Sequence, residues 1–169
     1  MVNLPGTKTY LVLYFLVISL RSAICVPTVL VAKCPEKSVH NPYKDTCVTL
    51  SSDKLAWDDA KYACEGKGGT LLTLETLEEV EWFRTLRSHN SDWGNSVAIW
   101  IGGRQFYGAW YWEGTKRVPI EFTDWNIREP NSYKKDDMCL QVIGWPKLNW
   151  NDHECFTVIN YVCEKRAPA

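Results

Sequence analysis

Seven cysteines in a chain of 169 residues constrain its fold more than any other feature of the sequence. One of them, Cys25, closes an apolar N-terminal stretch, and the other six follow it. An even set of cysteines in an oxidising compartment indicates disulfide bonds. Two pairs of cysteines are close in sequence, and a disulfide within each pair would close a short loop. The two remaining cysteines would then join distant parts of the chain. The predicted bonds are Cys34–Cys47, Cys139–Cys155 and Cys64–Cys163.

The first 25 residues are typical of a secretion signal. Lys8 supplies a basic start, residues 10–20 are apolar, and Ala23-Ile24-Cys25 resembles a small-residue cleavage site. An apolar run of that length is too short to cross the roughly 30 Å of membrane hydrocarbon as a helix. We therefore expect a secreted, extracellular protein with a signal peptide at 1–25, followed by a short segment at 26–33. Cleavage before Cys25 would leave an unpaired cysteine that could link two chains into a homodimer.

Charge and composition exclude several classes of function. The chain has 19 Lys and Arg against 20 Asp and Glu, a net charge of −1, so no basic surface for nucleic acid is predicted. Nine tryptophans indicate an aromatic core. The three histidines form no HExxH zinc motif. The paired carboxylates lie among amides and turn residues, whereas a glycosidase needs one carboxyl kept protonated. We expect a binding protein rather than an enzyme.

The sequence predicts two helices and several short strands. Trp57, Ala60 and Cys64 share one face of a helix expected over residues 55–67. A second helix is expected over 77–87, where capping-box spacing marks its start. Residues 34–50 read as a hairpin. Further strands are expected at 97–103, 110–114, 139–143 and 161–164, and a long irregular stretch lies among them.

Two polar clusters precede the cysteines near the C-terminus. The first contains Glu129, Asn131 and Asp137, and the second contains Asn151 and Asp152. Calcium prefers six to eight oxygen ligands and tolerates irregular geometry. Carboxylates and amides held together by nearby cysteines therefore predict a site for a hard cation.

Together these patterns resemble the C-type lectin domain family over residues 34–164. The resemblance rests on the six cysteines in order and on four motifs: Trp100-Ile101-Gly102, Trp112-x-Gly114, Glu129-Pro130-Asn131 and Trp150-Asn151-Asp152. It implies an α+β fold in which two helices flank two small antiparallel sheets, with a long irregular calcium-binding loop region. It also implies a carbohydrate-recognition domain at 34–165 with the three disulfides given above.

The resemblance further implies a single calcium site. The residues expected to ligate calcium and to contact the sugar are Glu129, Asn131, Asp137, Asn151 and Asp152. With the Asp152 carbonyl, these leave calcium about two ligands short, and two sugar hydroxyls can complete the shell. A cis Glu129–Pro130 bond is expected in the calcium-loaded state, since it turns both flanking side chains toward one ion. Ser132 and Met138 replace acidic residues of the family's accessory site.

The order of the polar groups implies the class of sugar. In this family Glu-Pro-Asn goes with mannose-type ligands, and Gln-Pro-Asp goes with galactose-type ligands. Glu129-Pro130-Asn131 therefore predicts binding of mannose, N-acetylglucosamine or fucose on microbial or cell surfaces, as in innate immune recognition. The alternative is a calcium-independent module of the same fold that binds proteins or mineral surfaces.

Overall fold

The computed structural model describes residues 34–89, 97–131, 138–144 and 147–168. The expected signal peptide and the following segment at 26–33 lie outside the described residues, as does Asp137. Neither described helix has the length and apolar character needed to cross a membrane.

Two helices and nine strands lie within the described residues. Helix α1 spans Trp57–Glu65 and helix α2 spans Leu77–His89, close to the predicted bounds. The strands are β1 (Val39–Asn41), β2 (Thr46–Leu55), β3 (Thr70–Leu71), β4 (Ala98–Phe106), β5 (Ala109–Glu113), β6 (Arg117–Pro119), β7 (Met138–Ile143), β8 (Asn149–Glu154) and β9 (Ile159–Arg166).

The strands form one mixed sheet. Strands β1, β2 and β9 pair antiparallel, as do β4, β5 and β6, while β7 joins β4 to β8. A parallel pairing of strands β4 and β9, at Ile99↔Asn160 and Trp100↔Tyr161, connects the two groups. The α+β architecture predicted from the sequence is present, and the two small sheets expected from the sequence are joined through this pairing.

Helix α1 packs on the sheet through the face that the sequence predicts. Trp57, Ala60 and Cys64 are fully buried. The Trp57 amide donates to the Cys155 carbonyl at 2.8 Å, and its indole Nε1 donates to the Ile101 carbonyl at 2.8 Å. Because Ala56 has no side-chain oxygen to cap the helix, these contacts with other elements hold the start of α1.

Three disulfides have the pairing expected from the sequence. Cys34–Cys47 closes the N-terminal hairpin, and Cys64–Cys163 ties α1 to β9 across 99 residues of sequence. Cys139–Cys155 ties β7 to the residue directly after β8. On the loop-entropy model, the Cys64–Cys163 disulfide, which closes the longest of the three loops, stabilises the fold by about 4–5 kcal/mol.

An aromatic cluster forms the centre of the main core. Trp150 is fully buried, and the rings of Trp112, Phe122 and Trp125 meet it edge-on, with centroid distances of 5.4, 5.9 and 5.7 Å. Such edge-to-face contacts add to the free energy of burying the rings. Since Asn151 and Asp152 follow Trp150 directly, this core fixes where the second polar cluster begins.

A buried network of charges joins the hairpin turn to the start of α2. The Lys44 ammonium contacts Glu75 Oε1 at 2.8 Å and Glu79 Oε1 at 3.2 Å, and Glu79 is only 1% exposed. Burial opposes the charge on Lys44, but the carboxylates of Glu164, Glu75 and Glu79 outweigh it and raise the lysine pKa. Lys44 therefore supplies the positive charge that compensates the buried carboxylates of Glu79 and Glu164.

Replacing Lys44 tests that role. The K44M variant should lose about 3–5 kcal/mol of unfolding free energy at neutral pH, because Glu79 and Glu164 would keep their burial without a cation. Urea unfolding measures the loss. The exposed Lys54 on β2 provides the matched control, and K54M should change the free energy by less than about 0.5 kcal/mol. Equal unfolding free energies for the two variants would contradict this role.

Candidate metal centre

Two segments, the first limb at 124–131 and the second limb at 147–152, carry the described residues of the predicted site. The limbs lie side by side, because Trp125 and Trp150 form a parallel bridge. The Trp150 amide donates to the Asp124 carbonyl at 2.9 Å, and the Asn126 amide donates to the Trp150 carbonyl at 2.8 Å. Two polar clusters about twenty residues apart in sequence are thereby brought together.

A tight turn presents the end of the first limb. The Glu129 amide donates to the Asn126 carbonyl at 3.0 Å, and Arg128 adopts a left-handed conformation with φ of 71°. The Glu129–Pro130 peptide bond is cis. The turn leaves Asn131 exposed and Glu129 half-buried at the tip of the limb.

Three of the five predicted ligands, Glu129, Asn131 and Asp152, meet where the limbs end, and Asn151 contacts the backbone of its neighbour Asp152. The Asn131 amide donates to Asp152 Oδ1 at 2.9 Å and to Glu129 Oε2 at 3.2 Å. Asn131 Nδ2 donates to Glu129 Oε1 at 3.0 Å, and Asn151 Nδ2 donates to the Asp152 carbonyl at 2.9 Å. The fifth predicted ligand, Asp137, lies outside the described residues, so its position relative to this group stays a prediction.

The electrostatics of the group favour a cation. Burial raises the pKa of Glu129, and the Asp152 carboxyl, which lies within hydrogen-bonding reach, raises it further, whereas the Asn131 donors partly oppose the shift. Asp152 is only 3% exposed. Two carboxylates held this close repel each other, and a positive charge between them would relieve the repulsion.

The donor chemistry fits calcium. Glu129 and Asp152 supply carboxylate oxygens, Asn131 and Asn151 supply amide oxygens, and the Asp152 carbonyl lies beside them. Within the described residues, no group of three or more His, Cys, Asp or Glu side chains could hold a metal. Two of the four described candidate ligands are amides, and such neutral oxygens beside carboxylates are usual for calcium and unusual for zinc.

The second cluster lies on a strand, whereas the sequence suggested an irregular loop. Strand β8 pairs with β7 in unbroken register, including Gln141↔Asn151 and Leu140↔Asp152. Alternation along β8 buries Trp150 and Asp152 and leaves Asn151 half-buried. Pairing with β7 and burial of Trp150 thus outweigh the poor strand propensity of the asparagines and aspartate.

A groove of about 660 Å³ beside the limbs contains residues that the sequence did not single out. Its wall includes Arg84 on α2, whose Nη2 donates to Asp124 Oδ2 at 2.6 Å. Arg84 Nη1 also donates to Glu81 Oε1 at 2.7 Å. In the sequence, Glu81 and Arg84 read as an ordinary exposed pair three residues apart on a helix. Only the fold reveals the contact with the first limb.

Comparison with known protein families supports the fold. A family model described as the lectin C-type domain matches residues 53–165. Domains of this kind are typically binding modules. Among solved structures, the mouse scavenger receptor C-type lectin carbohydrate-recognition domain is 26% identical, with a TM-score of 0.68 over 80% of this chain and 98% of that one. A calcium-independent type II antifreeze protein is also 26% identical, with a TM-score of 0.66 over 80% and 96% of the two chains.

Similar sequences differ in their ligands. The mouse (Mus musculus) C-type mannose receptor 2 is 26% identical over 125 residues, covering 73% of this chain. This chain matches only 8% of the length of that receptor. A C-type lectin galactose-binding isoform from Pseudechis australis is 25% identical over 135 residues, covering 78% of this chain and 82% of that protein.

The carboxylate pair makes a testable prediction about calcium and stability. In wild-type protein, calcium at about a hundred times its Kd should add about 2.7 kcal/mol of unfolding free energy. The E129Q variant should lose this gain and keep wild-type stability in EDTA, because removing one of two like charges costs the calcium-free fold little. Thermal unfolding with calcium and with EDTA measures both quantities.

The exposed Glu121 provides the matched control for this substitution. The E121Q variant should keep the full calcium-dependent gain. A gain of wild-type size in E129Q would contradict the assignment of Glu129 as a calcium ligand.

Proposed function

Because this chain belongs to the C-type lectin domain family, we propose that it is a calcium-dependent lectin for mannose-type glycans. The observation that carries the proposal is the cross-limb group of Glu129, Asn131 and Asp152, joined by hydrogen bonds of 2.9 to 3.2 Å. It gathers carboxylate and carboxamide groups at an exposed tip, where a sugar can reach them.

In the proposed site, one calcium ion is held by Glu129, Asn131, Asp137, Asn151 and Asp152. When bound, calcium supplies two open coordination positions for a pair of adjacent sugar hydroxyls. The protein's own task is to satisfy the remaining hydrogen-bonding capacity of those hydroxyls, since a desolvated hydroxyl without partners is costly.

The alternation of acids and amides meets that requirement. Each hydroxyl donates its proton to a carboxylate and accepts one from a carboxamide NH₂. Glu129 Oε1 and Asn131 Nδ2 are 3.0 Å apart, so an acceptor and a donor already stand side by side. The order Glu-Pro-Asn supports ligands with adjacent equatorial hydroxyls, namely mannose, N-acetylglucosamine and fucose-type glycans.

The wider role follows from the N-terminal sequence and from the shape of the site. We propose that residues 1–25 direct secretion and that residues 34–165 form the carbohydrate-recognition domain. An open site at an exposed tip binds a single sugar weakly, so useful avidity requires several copies, for instance in a homodimer. Recognition of microbial glycans in innate immunity would suit such a protein.

A calcium-independent function is the second candidate. It is favoured by the similarity to an antifreeze protein whose description states that it is calcium-independent. A protein- or mineral-binding module of this fold would not need the two clustered carboxylates. The candidates therefore differ in whether chelation of calcium changes binding.

Retention on immobilised mannan tests the proposal. Wild-type protein should bind mannan in calcium and elute in EDTA, and free mannose should compete better than free galactose. The E129Q/N131D double variant exchanges acceptor and donor at the tip, so it should lose mannan binding and gain affinity for galactose. The control, E121Q, makes the same change of an acid to an amide at an exposed position away from the site and should behave as wild type.

Two results would count against the proposal. Mannan binding that persists in EDTA would favour the calcium-independent module. Preference of the wild-type protein for galactose would show that the order of polar groups at the tip does not set the specificity.

A further inference from the structure

One arginine on α2 contacts the base of both limbs that carry the candidate site. Arg84 Nη2 donates to Asp124 Oδ2 of the first limb at 2.6 Å, and Arg84 Nε donates to the Lys147 carbonyl of the second limb. Asn149 Nδ2 of the second limb also lies 3.4 Å from Asp124 Oδ2. The name Arg84 clamp is used below for Arg84, Asp124 and Lys147.

We propose that the Arg84 clamp positions the two limbs for calcium, so that Arg84 sets metal and glycan affinity without touching either. This inference rests on the proposed function, because it concerns the same site. Arg84 is a positioning residue, since its contacts end at residues 124 and 147, before the predicted ligands begin.

The clamp is anchored on a rigid element. Val80 and Phe83, on the turn of α2 that precedes Arg84, are each 1% exposed and belong to the main core. The side chains of Arg84 and Asp124 are themselves only 19% and 17% exposed. A guanidinium held by a packed helix can therefore define the position of both limbs relative to the core.

The chemistry of arginine suits the task. Exposed ion pairs contribute little to stability, because the solvent screens them. Arg84 differs from such a pair, because its fork donates to three acceptors on three segments: Glu81, Asp124 and Lys147. Burial raises the pKa of Asp124, and the charge and hydrogen bond of Arg84 oppose that rise. A lysine ammonium has no fork and cannot hold three separated acceptors in this geometry.

The contacts above the clamp carry its position to the site. Next to the clamp, two backbone hydrogen bonds join the limbs. The Trp150 amide donates to the Asp124 carbonyl, and the Asn126 amide donates to the Trp150 carbonyl. The Asn126 carbonyl then holds the Glu129 amide at 3.0 Å, and Asn131 meets Asp152 across the limbs at 2.9 Å. If Asp124 were released, the first limb could move relative to the second. The distances between the candidate ligands on the two limbs would then increase.

Calcium titration by calorimetry tests the proposal. The R84M variant should bind calcium about ten- to a hundredfold more weakly than wild type, the usual effect of losing a group that orients metal ligands. The R84K variant should stay weakened, because it keeps the charge and loses the fork. Arg117 of β6, which pairs with Glu113 of β5, provides the matched control, and R117M should keep the wild-type Kd. A Kd for R84M within twofold of wild type would overturn the proposal.

Amide hydrogen exchange in calcium-free protein separates positioning from general destabilisation. In R84M, exchange should accelerate at the Asn126 and Trp150 amides, which join the limbs. It should stay unchanged at the Leu72 and Gly102 amides, which bond within the core. Equal acceleration at all four amides would reduce Arg84 to a structural residue and overturn the positioning role.

Two further outcomes are decided by the same measurements. If R84M does not fold, D124A removes the same contact from the other side and should show the same loss of affinity and the same local exchange. If the wild-type protein binds no calcium, the proposed function fails. In that case the positioning role is decided only by hydrogen exchange in calcium-free R84M. Faster exchange confined to the Asn126 and Trp150 amides supports the role, and unchanged exchange at those amides overturns it.

Discussion

The pair of hydrogen bonds between Trp150 and the segment 124–126 is the interaction on which the candidate site depends. These bonds, of 2.8 and 2.9 Å, join the two limbs directly through their backbones. Trp150 can hold this place because its ring is buried under three other aromatic rings. The free energy of burying that cluster therefore also positions the polar groups beyond it.

The rest of the fold supports that junction from two sides. The Cys139–Cys155 disulfide and the register with β7 hold strand β8, which carries Asn151 and Asp152. On the other side, α2 contacts the base of both limbs through Arg84. The ligands of the first limb lie on a turn that the chain itself stabilises poorly, as its left-handed Arg128 indicates. Rigid surroundings thus compensate for an irregular tip.

Local sequence patterns predicted much of the fold. The features that these patterns missed are formed by pairing between residues that are distant in sequence. Helix α1 was predicted because Trp57, Ala60 and Cys64 recur at helical spacing, and cysteine spacing together with the resemblance predicted the disulfides. Strand β8 was missed because its polar sequence carries no strand signal, and only pairing with β7 makes it a strand. The parallel pairing of β4 with β9 and the contacts of Arg84 join residues distant in sequence, so no local pattern could indicate them. At the site, Glu129, Asn131 and Asp152 meet across the limbs, Asn151 donates to the carbonyl of its neighbour Asp152, and Asp137 lies outside the described residues.

The most direct test of the account is a calcium titration of ¹⁵N-labelled protein, followed through the side-chain amide resonances of asparagine. The account predicts that the resonances of Asn131 and Asn151 shift together and saturate at one calcium per chain. Methyl mannoside should then shift the same two resonances again, while that of the remote Asn160 on β9 stays in place. Calcium and sugar that leave both resonances unchanged, or that shift resonances elsewhere in the domain, would contradict the account.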